Sequence, residues 1–474
     1  MKRYTLNQIL EATGGVLSRP VPDQEIELEL ERDSRRMPRK SGLFIALRGE
    51  HHDAHQFVPA AIENGAVAAI VARDWAEQHP EIEIPLILVD EPGAALQRWA
   101  TWQRARLKAR VVGITGSVGK TSAKESIAAV LSQRFKVFRS PGNFNNEVGL
   151  PLSILDCPED AEIIVLEMGG AYAFGEITML AEIARPSVGV VTNIYPVHLE
   201  RMGSLENIAK TKTELVEAIP ADGFVVLNHD DPRVRAMAAS SRARVITYGV
   251  EGQADVYAHD VQSQGIKGLS FWVNIEGEDR YLTVPFVGGP GVLIAIVALA
   301  VGHGFGMDLA EMMAGLQDHN TQVRLLLVEG PNNSQIIDDT YNASTPSVLA
   351  ALNLLKELPG KRRIAVLGEM RELGAHAEEG HRIIGGRAGE VVDVLVTFGE
   401  LTDITIATAV ETAKRSGRQL TVYRFDPSQR EELIQLLLDD LADGDMVLIK
   451  GARGLEMERI VAALRTSITG GGAS

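Results

Sequence analysis

The chain has 474 residues and a mass of 51.3 kDa, enough for about three domains at roughly 150 residues each. Apolar residues make up 45% and charged residues 23%, which excludes a disordered chain, a fibrous repeat and a small disulfide scaffold. Its 47 basic and 63 acidic residues leave a net charge of −16, so no nucleic-acid surface is expected, although local anion binding needs only backbone N–H groups and a lysine or two.

Residues 1–15 contain no continuous apolar run, so no export signal is expected. A short helix at 6–12 ends at Gly14-Gly15. Strands at 26–30 and 43–47 then flank Asp33-Ser34-Arg35. This reads as a small α/β unit, and a helix at 94–107 leads out of it. Four later stretches share one grammar: a β-branched run, a turn, then a helical pattern. The runs are 111–115, 163–166, 188–192 and 364–367, with further ones at 392–398 and 446–449. Strands alternating with helices imply parallel sheets covered on both faces.

The longest apolar run, 292–301, is far short of the roughly 20 residues that span a membrane, and it reads as a buried helix. A third unit begins near 319, after a helix at 309–316, and its strand at 335–337 runs into Asp338-Asp339. The expected fold is α/β in three domains, 1–94, 95–318 and 319–474: a small α/β domain, a P-loop ATPase-like parallel sheet flanked by helices, and a Rossmann-like α/β domain. Cys157 is the only cysteine, which fits a reducing compartment. With no export signal or membrane span, the cytoplasm is the expected location.

The strongest motif is Thr115-Gly116-Ser117-Val118-Gly119-Lys120-Thr121-Ser122. It lies between an apolar strand and a helix with Ala123, Ile127, Val130 and Leu131 on one side, the context a phosphate loop requires. Glycines let backbone N–H groups converge on phosphate oxygens, and the helix N-terminus adds partial positive charge. Lys120 reaches the terminal phosphates, and the Thr121 hydroxyl is placed for Mg²⁺. Ile114 occupies the first glycine position of the usual pattern, so a Gly-rich turn with a chance lysine is the bland alternative.

Glu167 ends the run Ile163-Ile164-Val165-Leu166, where open α/β sheets bind ligands. It is a candidate Mg²⁺ ligand or, equally, a helix N-cap. His198 follows the next strand and is either a ligand or a structural histidine. Lys210 and Lys212 read by default as a solvated helix face.

In order along the chain, these residues resemble the Mur ligase family, the ATP-dependent amide ligases of cell-wall precursor synthesis. The first unit contributes Asp33-Ser34-Arg35, Gly42-Leu43-Phe44-Ile45 and His55-Gln56-Phe57. The centre contributes the phosphate loop, Asn143-Phe144-Asn145-Asn146-Glu147, Glu167-Met168-Gly169, Thr192-Asn193-Ile194 and His198-Leu199-Glu200. The last unit contributes Asp338-Asp339-Thr340-Tyr341-Asn342-Ala343, Leu367-Gly368-Glu369-Met370 and Lys450-Gly451-Ala452-Arg453.

The resemblance implies a UDP-sugar module in 1–94 with Ser34 and Arg35, an ATP-binding centre with Asn145 and Asn146 toward the substrate, and a C-terminal domain for the incoming amine. Arg324, Asp339 and Asn342 are implied at the nucleotide. Lys212 is implied as a carbamylated lysine that joins Glu167 and His198 around one Mg²⁺, while Thr121 and Glu167 hold a second. The implied substrates are ATP, UDP-N-acetylmuramoyl-tripeptide and D-alanyl-D-alanine, joined through an acyl phosphate by a monomer. A sibling ligase with another amine substrate, or a diverged non-catalytic nucleotide-binding paralogue, are the alternatives.

Some positions depart from the family. Pro290, Gly291 and Ile294 stand where a His and two Asn are usual on the adenine side, and Val323-Arg324 replaces Gly-Arg. Ala54 replaces a glycine, and Ser344-Thr345-Pro346-Ser347 stands where Asn-Pro-x-Ser is common.

Overall fold

Three sheets form, and all three are mixed. The computed structural model describes residues 2–21, 25–38, 40–49, 52–170, 173–197, 199–250, 252–286, 288–317, 326–371 and 373–470. The first sheet runs Arg3–Thr5, Glu27–Glu31, Gly42–Ile45, Ala66–Ala72, Leu86–Val89, Val16–Leu17, with parallel pairing inside and an antiparallel pair at each edge. The third runs Leu326–Glu329, Gln335–Asp338, Asp445–Lys450, Arg362–Gly368, Val394–Phe398, Thr421–Phe425, parallel except at its first strand.

The central sheet has nine strands. Its parallel part is ordered Val137–Arg139, Ile163–Glu167, Arg110–Thr115, Val188–Val191, Phe224–Asn228, Arg244–Gly249, Val256–Ser263. To the expected parallel sheet the far edge adds an antiparallel pair, Leu269–Ile275 and Glu278–Val284. Glu276 (φ 54°) and Gly277 (φ 83°) close that pair as a two-residue hairpin, whose positive φ values match strand twist. A strand–turn–helix grammar does not register a hairpin.

Strand order positions the site. The strand Arg110–Thr115 lies between Val188–Val191 and Ile163–Glu167, all parallel. The phosphate loop, Glu167 and Thr192-Asn193 therefore emerge side by side at the carboxyl ends of adjacent strands.

Helix Pro92–Arg104 links the first two sheets, and residue 94 lies inside it. Glu91 caps its first N–H groups, with Pro92 at the first position. Its Trp99 is fully buried, with Tyr4 edge-on at 5.0 Å. Tyr4 donates its hydroxyl hydrogen to the carbonyl of Leu155 at 2.6 Å, across the two sheets. One apolar core consequently runs from Tyr4 and Leu43 through Trp99 to Ile164 and Leu215. On the other face of the central sheet, the apolar run lies in helix Pro290–Gly304, packed against Lys120–Leu131. Among the described residues, no helix is long and apolar enough to cross a membrane.

Candidate active site

The phosphate loop is a fixed object before any ligand enters. Gly116 has φ 137° and Gly119 φ 83°, a region L side chains avoid. A Cβ on Gly116 would stand 2.0 Å from Thr192 Oγ1. Gly116→Ala should therefore force Thr192 out of place and weaken ADP binding by about tenfold or more, given roughly 1–3 kcal/mol of local strain. Titration calorimetry checks this, and an unchanged affinity would remove the close approach from the account.

Asn193 clamps the loop from the neighbouring strand end. Its Oδ1 accepts from Val118 N–H at 2.9 Å, and its Nδ2 donates to Val118 O at 3.0 Å. Thr192 donates to the same oxygen at 2.8 Å, and Ser117 donates to Tyr195 O at 3.0 Å. Lys120 Nζ donates back to the carbonyls of Gly116 (2.7 Å) and Ser117 (3.2 Å).

All seven loop residues from Gly116 to Ser122 line a cleft of about 920 Å³, walled by the central and C-terminal sheets' loops. Glu167 lines it too and is 1% exposed. Its Oε2 accepts from Asn145 Nδ2 at 3.5 Å, and its Oε1 lies 3.4 Å from Lys124 Nζ. Asn146 also lines the cleft, and its Oδ1 accepts from Gly149 N–H, which fixes the turn that presents Asn145.

Lys212 overturns the solvated-face default: it is 3% exposed and faces the cleft. Its Nζ donates to the carbonyls of Gly169 and Gly170, both at 2.6 Å. Burial, and then the charge of Lys120, push its ammonium down from 10.5 to about 7, against the opposing pull of Glu176 and Glu214. A neutral amine is thus accessible at ordinary pH.

For a metal, the wall offers hard oxygen donors: the Thr121 hydroxyl and the inward Glu167 carboxylate, both lining one cleft. These fit a Mg²⁺ that also takes phosphate oxygens. Among the described residues, no group of three His, Cys, Asp or Glu side chains could hold a metal by itself. His198 and Arg324 lie outside the described residues.

The opposite wall comes from the C-terminal sheet. Asp339 Oδ2 pairs with Lys450 Nζ at 2.6 Å, and Lys450 also donates to Asn342 O at 2.8 Å. Asp339, Asn342 and Lys450 all line the cleft, as does Arg453, whose guanidinium stands 5.3 Å over the Tyr341 ring. Ser34 and Arg35 do not join them. They lie on the turn Ser34–Arg36, where Arg35 is 84% exposed and paired with Asp33 at 2.8 Å. Arg32, two residues earlier, lines the cleft instead and stacks over Phe144 at 4.9 Å.

Of the positions that depart from the family, Gly291 and Ile294 line the cleft, next to Pro285 and Phe286. A Cβ on Gly291 would meet Phe286 Cβ at 2.8 Å, so an asparagine there would displace the phenyl ring. Apolar packing replaces polar side chains along this stretch. Asn193 stands in the Thr192-Asn193-Ile194 run of the resemblance, which does not by itself reveal a clamp, and the buried Lys124 carries no signal beyond the i, i+4 spacing that puts it on the Lys120 face of one helix.

Comparison with known proteins extends this geometry to the whole chain. The Mur ligase middle domain matches residues 114–302, and the Mur ligase glutamate ligase domain matches 323–453. UDP-N-acetylmuramoyl-tripeptide–D-alanyl-D-alanine ligase of Bacillus subtilis is 36% identical, covering 97% of this chain and 98% of its own length. The Escherichia coli protein of the same name is 30% identical over 99% of this chain and 100% of its own. A crystal structure of MurF from Acinetobacter baumannii superposes with a TM-score of 0.84 at 26% identity, covering 98% of this chain and 99% of that one. MurF from Thermotoga maritima, in complex with ADP, gives 0.77 at 27%, covering 94% and 98%. Identity at this level from end to end reflects common descent, and the chain belongs to the Mur ligase family.

Proposed function

We propose that the chain joins D-alanyl-D-alanine to UDP-N-acetylmuramoyl-tripeptide, using ATP. The observation that carries this is the single cleft shared by the phosphate loop, Glu167 and Lys212 on one side and Asp339, Lys450 and Arg453 on the other. Full-length relatives named for this reaction support it.

The terminal carboxylate of the tripeptide attacks the γ-phosphorus of ATP, and ADP leaves. The amine of D-alanyl-D-alanine then attacks the acyl phosphate carbon. It loses a proton, and phosphate departs from the tetrahedral intermediate to leave an amide. Lys120 offsets the charge that repels a carboxylate from a polyphosphate.

Thr121 and Glu167 would hold Mg²⁺, which would supply charge neutralisation at the phosphates. As a neutral amine, Lys212 would add CO₂ and release one proton, becoming an anionic carbamate that would hold a second Mg²⁺ together with Glu167 and His198. Its lowered proton affinity supports that reading. The protein acts as a cytoplasmic monomer in three domains, 1–94 for the UDP-sugar, 95–318 for ATP and 319–474 for the dipeptide. Ser34 and Arg35 serve the UDP-sugar and Arg324 the nucleotide.

Phosphate release from ATP is the test, with UDP-N-acetylmuramoyl-tripeptide, Mg²⁺, and D-alanyl-D-alanine present or withheld. Release that needs both substrates, with a stoichiometric pentapeptide product by mass, is expected. The apolar wall at Ile294 favours one rival, a chain that binds nucleotide without ligating. No release at high ATP from a folded sample would establish that rival.

A further inference from the structure

Lys124 is fully buried, an unusual place for an ammonium group, and the reaction outlined above makes no use of it. Its Nζ donates to the carbonyls of Ser140 at 2.7 Å and Gly142 at 2.8 Å. It also lies 3.4 Å from Glu167 Oε1 and 3.2 Å from Glu125 Oε1. Glu125 in turn pairs with Arg139 at 2.6 Å, one residue before Ser140.

Two consequences follow from that position. A carboxylate as buried as Glu167 needs a partner inside the fold to hold it in place. Lys124 supplies the compensating charge from the core side, at Oε1. That leaves Oε2 turned toward Asn145 and the cleft. The same ammonium holds the start of the segment 140–148, whose Asn145 and Asn146 line the cleft. Helix Lys120–Leu131, the acid and the segment are thus tied at one nitrogen.

We propose that Lys124 is a positioning residue, which holds Glu167 aimed at the metal–phosphate site and fastens the segment 140–148 to the nucleotide helix. The proposal rests on the reading of Glu167 as a Mg²⁺ ligand. Because Lys124 acts through Glu167, its loss should weaken metal–nucleotide binding more than binding of the nucleotide alone.

The experiment uses the full chain and three variants: Lys124→Met, Glu167→Gln and the double variant. ADP affinity is measured by calorimetry with Mg²⁺ and again with EDTA. The ratio of the two affinities is the metal enhancement. Glu167→Gln should lose the enhancement. Lys124→Met should lose about tenfold of it, at the low end of what removing the group behind a metal ligand costs, with the EDTA affinity near wild type. A merely structural lysine would lower both affinities together, and that result would overturn the proposal.

If Glu167→Gln keeps the enhancement, the reading of Glu167 falls and the proposal with it. If Glu167→Gln loses it while Lys124→Met keeps it, only the proposal falls. Thermal melting gives a second arm. Lys124→Met strands a buried carboxylate, so the double variant should melt above it. A double variant that melts no higher, or does not fold, overturns the proposal.

Discussion

Lys120→Ala is expected to reduce phosphate release by about 10²–10³-fold or more, the range seen when one preorganised donor to a developing charge is removed. The lysine stands at the first residue of its helix, half-buried, with its ammonium folded over the carbonyls of Gly116 and Ser117. Those carbonyls belong to the loop that meets the phosphates, so a small swing brings Nζ to the γ-phosphoryl group. The side chain contributes little to the core, so the melting temperature should stay near wild type. A coupled phosphate assay and a thermal melt separate the two effects. Unchanged phosphate release in a folded variant would remove the loop from the mechanism.

Lys212→Ala should abolish ligation while leaving the fold nearly intact. The two carbonyls it serves, on Gly169 and Gly170, lose their donor, but the cost of keeping a buried ammonium disappears as well. A short-chain carboxylate added to the variant should restore part of the rate by filling the place of the proposed carbamate. The wild type gives a pH test. Its lysine loses its proton near pH 7 instead of 10.5, so the neutral amine predominates above about 7. Between those values the unfolded chain binds the extra proton, so this group's contribution to stability rises with pH through that window. Activity of CO₂-depleted enzyme should recover on adding bicarbonate above pH 7 and recover poorly below it. Normal turnover by Lys212→Ala, measured by product mass, would sink the carbamate.

Short buried strands were legible because β-branched runs between turns have few other uses. The runs at 111–115 and 163–166 correspond to Arg110–Thr115 and Ile163–Glu167, each within a residue. Helix Leu6–Thr13 and helix Leu309–Gln317 extend their expected spans by a residue. Less legible was anything decided across the sheet. Leu269–Ile275 is a partly polar strand with Trp272 exposed, which lacks the run of a central strand. Lys124 and Lys212 look like solvated helix positions, and only the neighbouring strands bury them. The same applies to Arg32, which the motif Asp33-Ser34-Arg35 leaves out and which stands over Phe144, far along the chain.

Mechanically, the molecule has one solid block where its strands suggest two. Tyr4, Trp99 and Leu155 belong to a single apolar core, and Arg98 and Arg104 rivet it by donating to Thr13, Ala184 and Ala109 carbonyls. Among the described residues, buried apolar side chains of the first and the central sheet belong to that one core. The first sheet cannot swing on its own without tearing Trp99 from its cover. It is instead a fixed arm of the nucleotide block, and the arm behaves as a gauge: the distance from its surface to Lys120 is a constant of the fold. A ligand anchored at the arm's far end is measured against that constant, and its length decides whether its reactive end arrives at the phosphate.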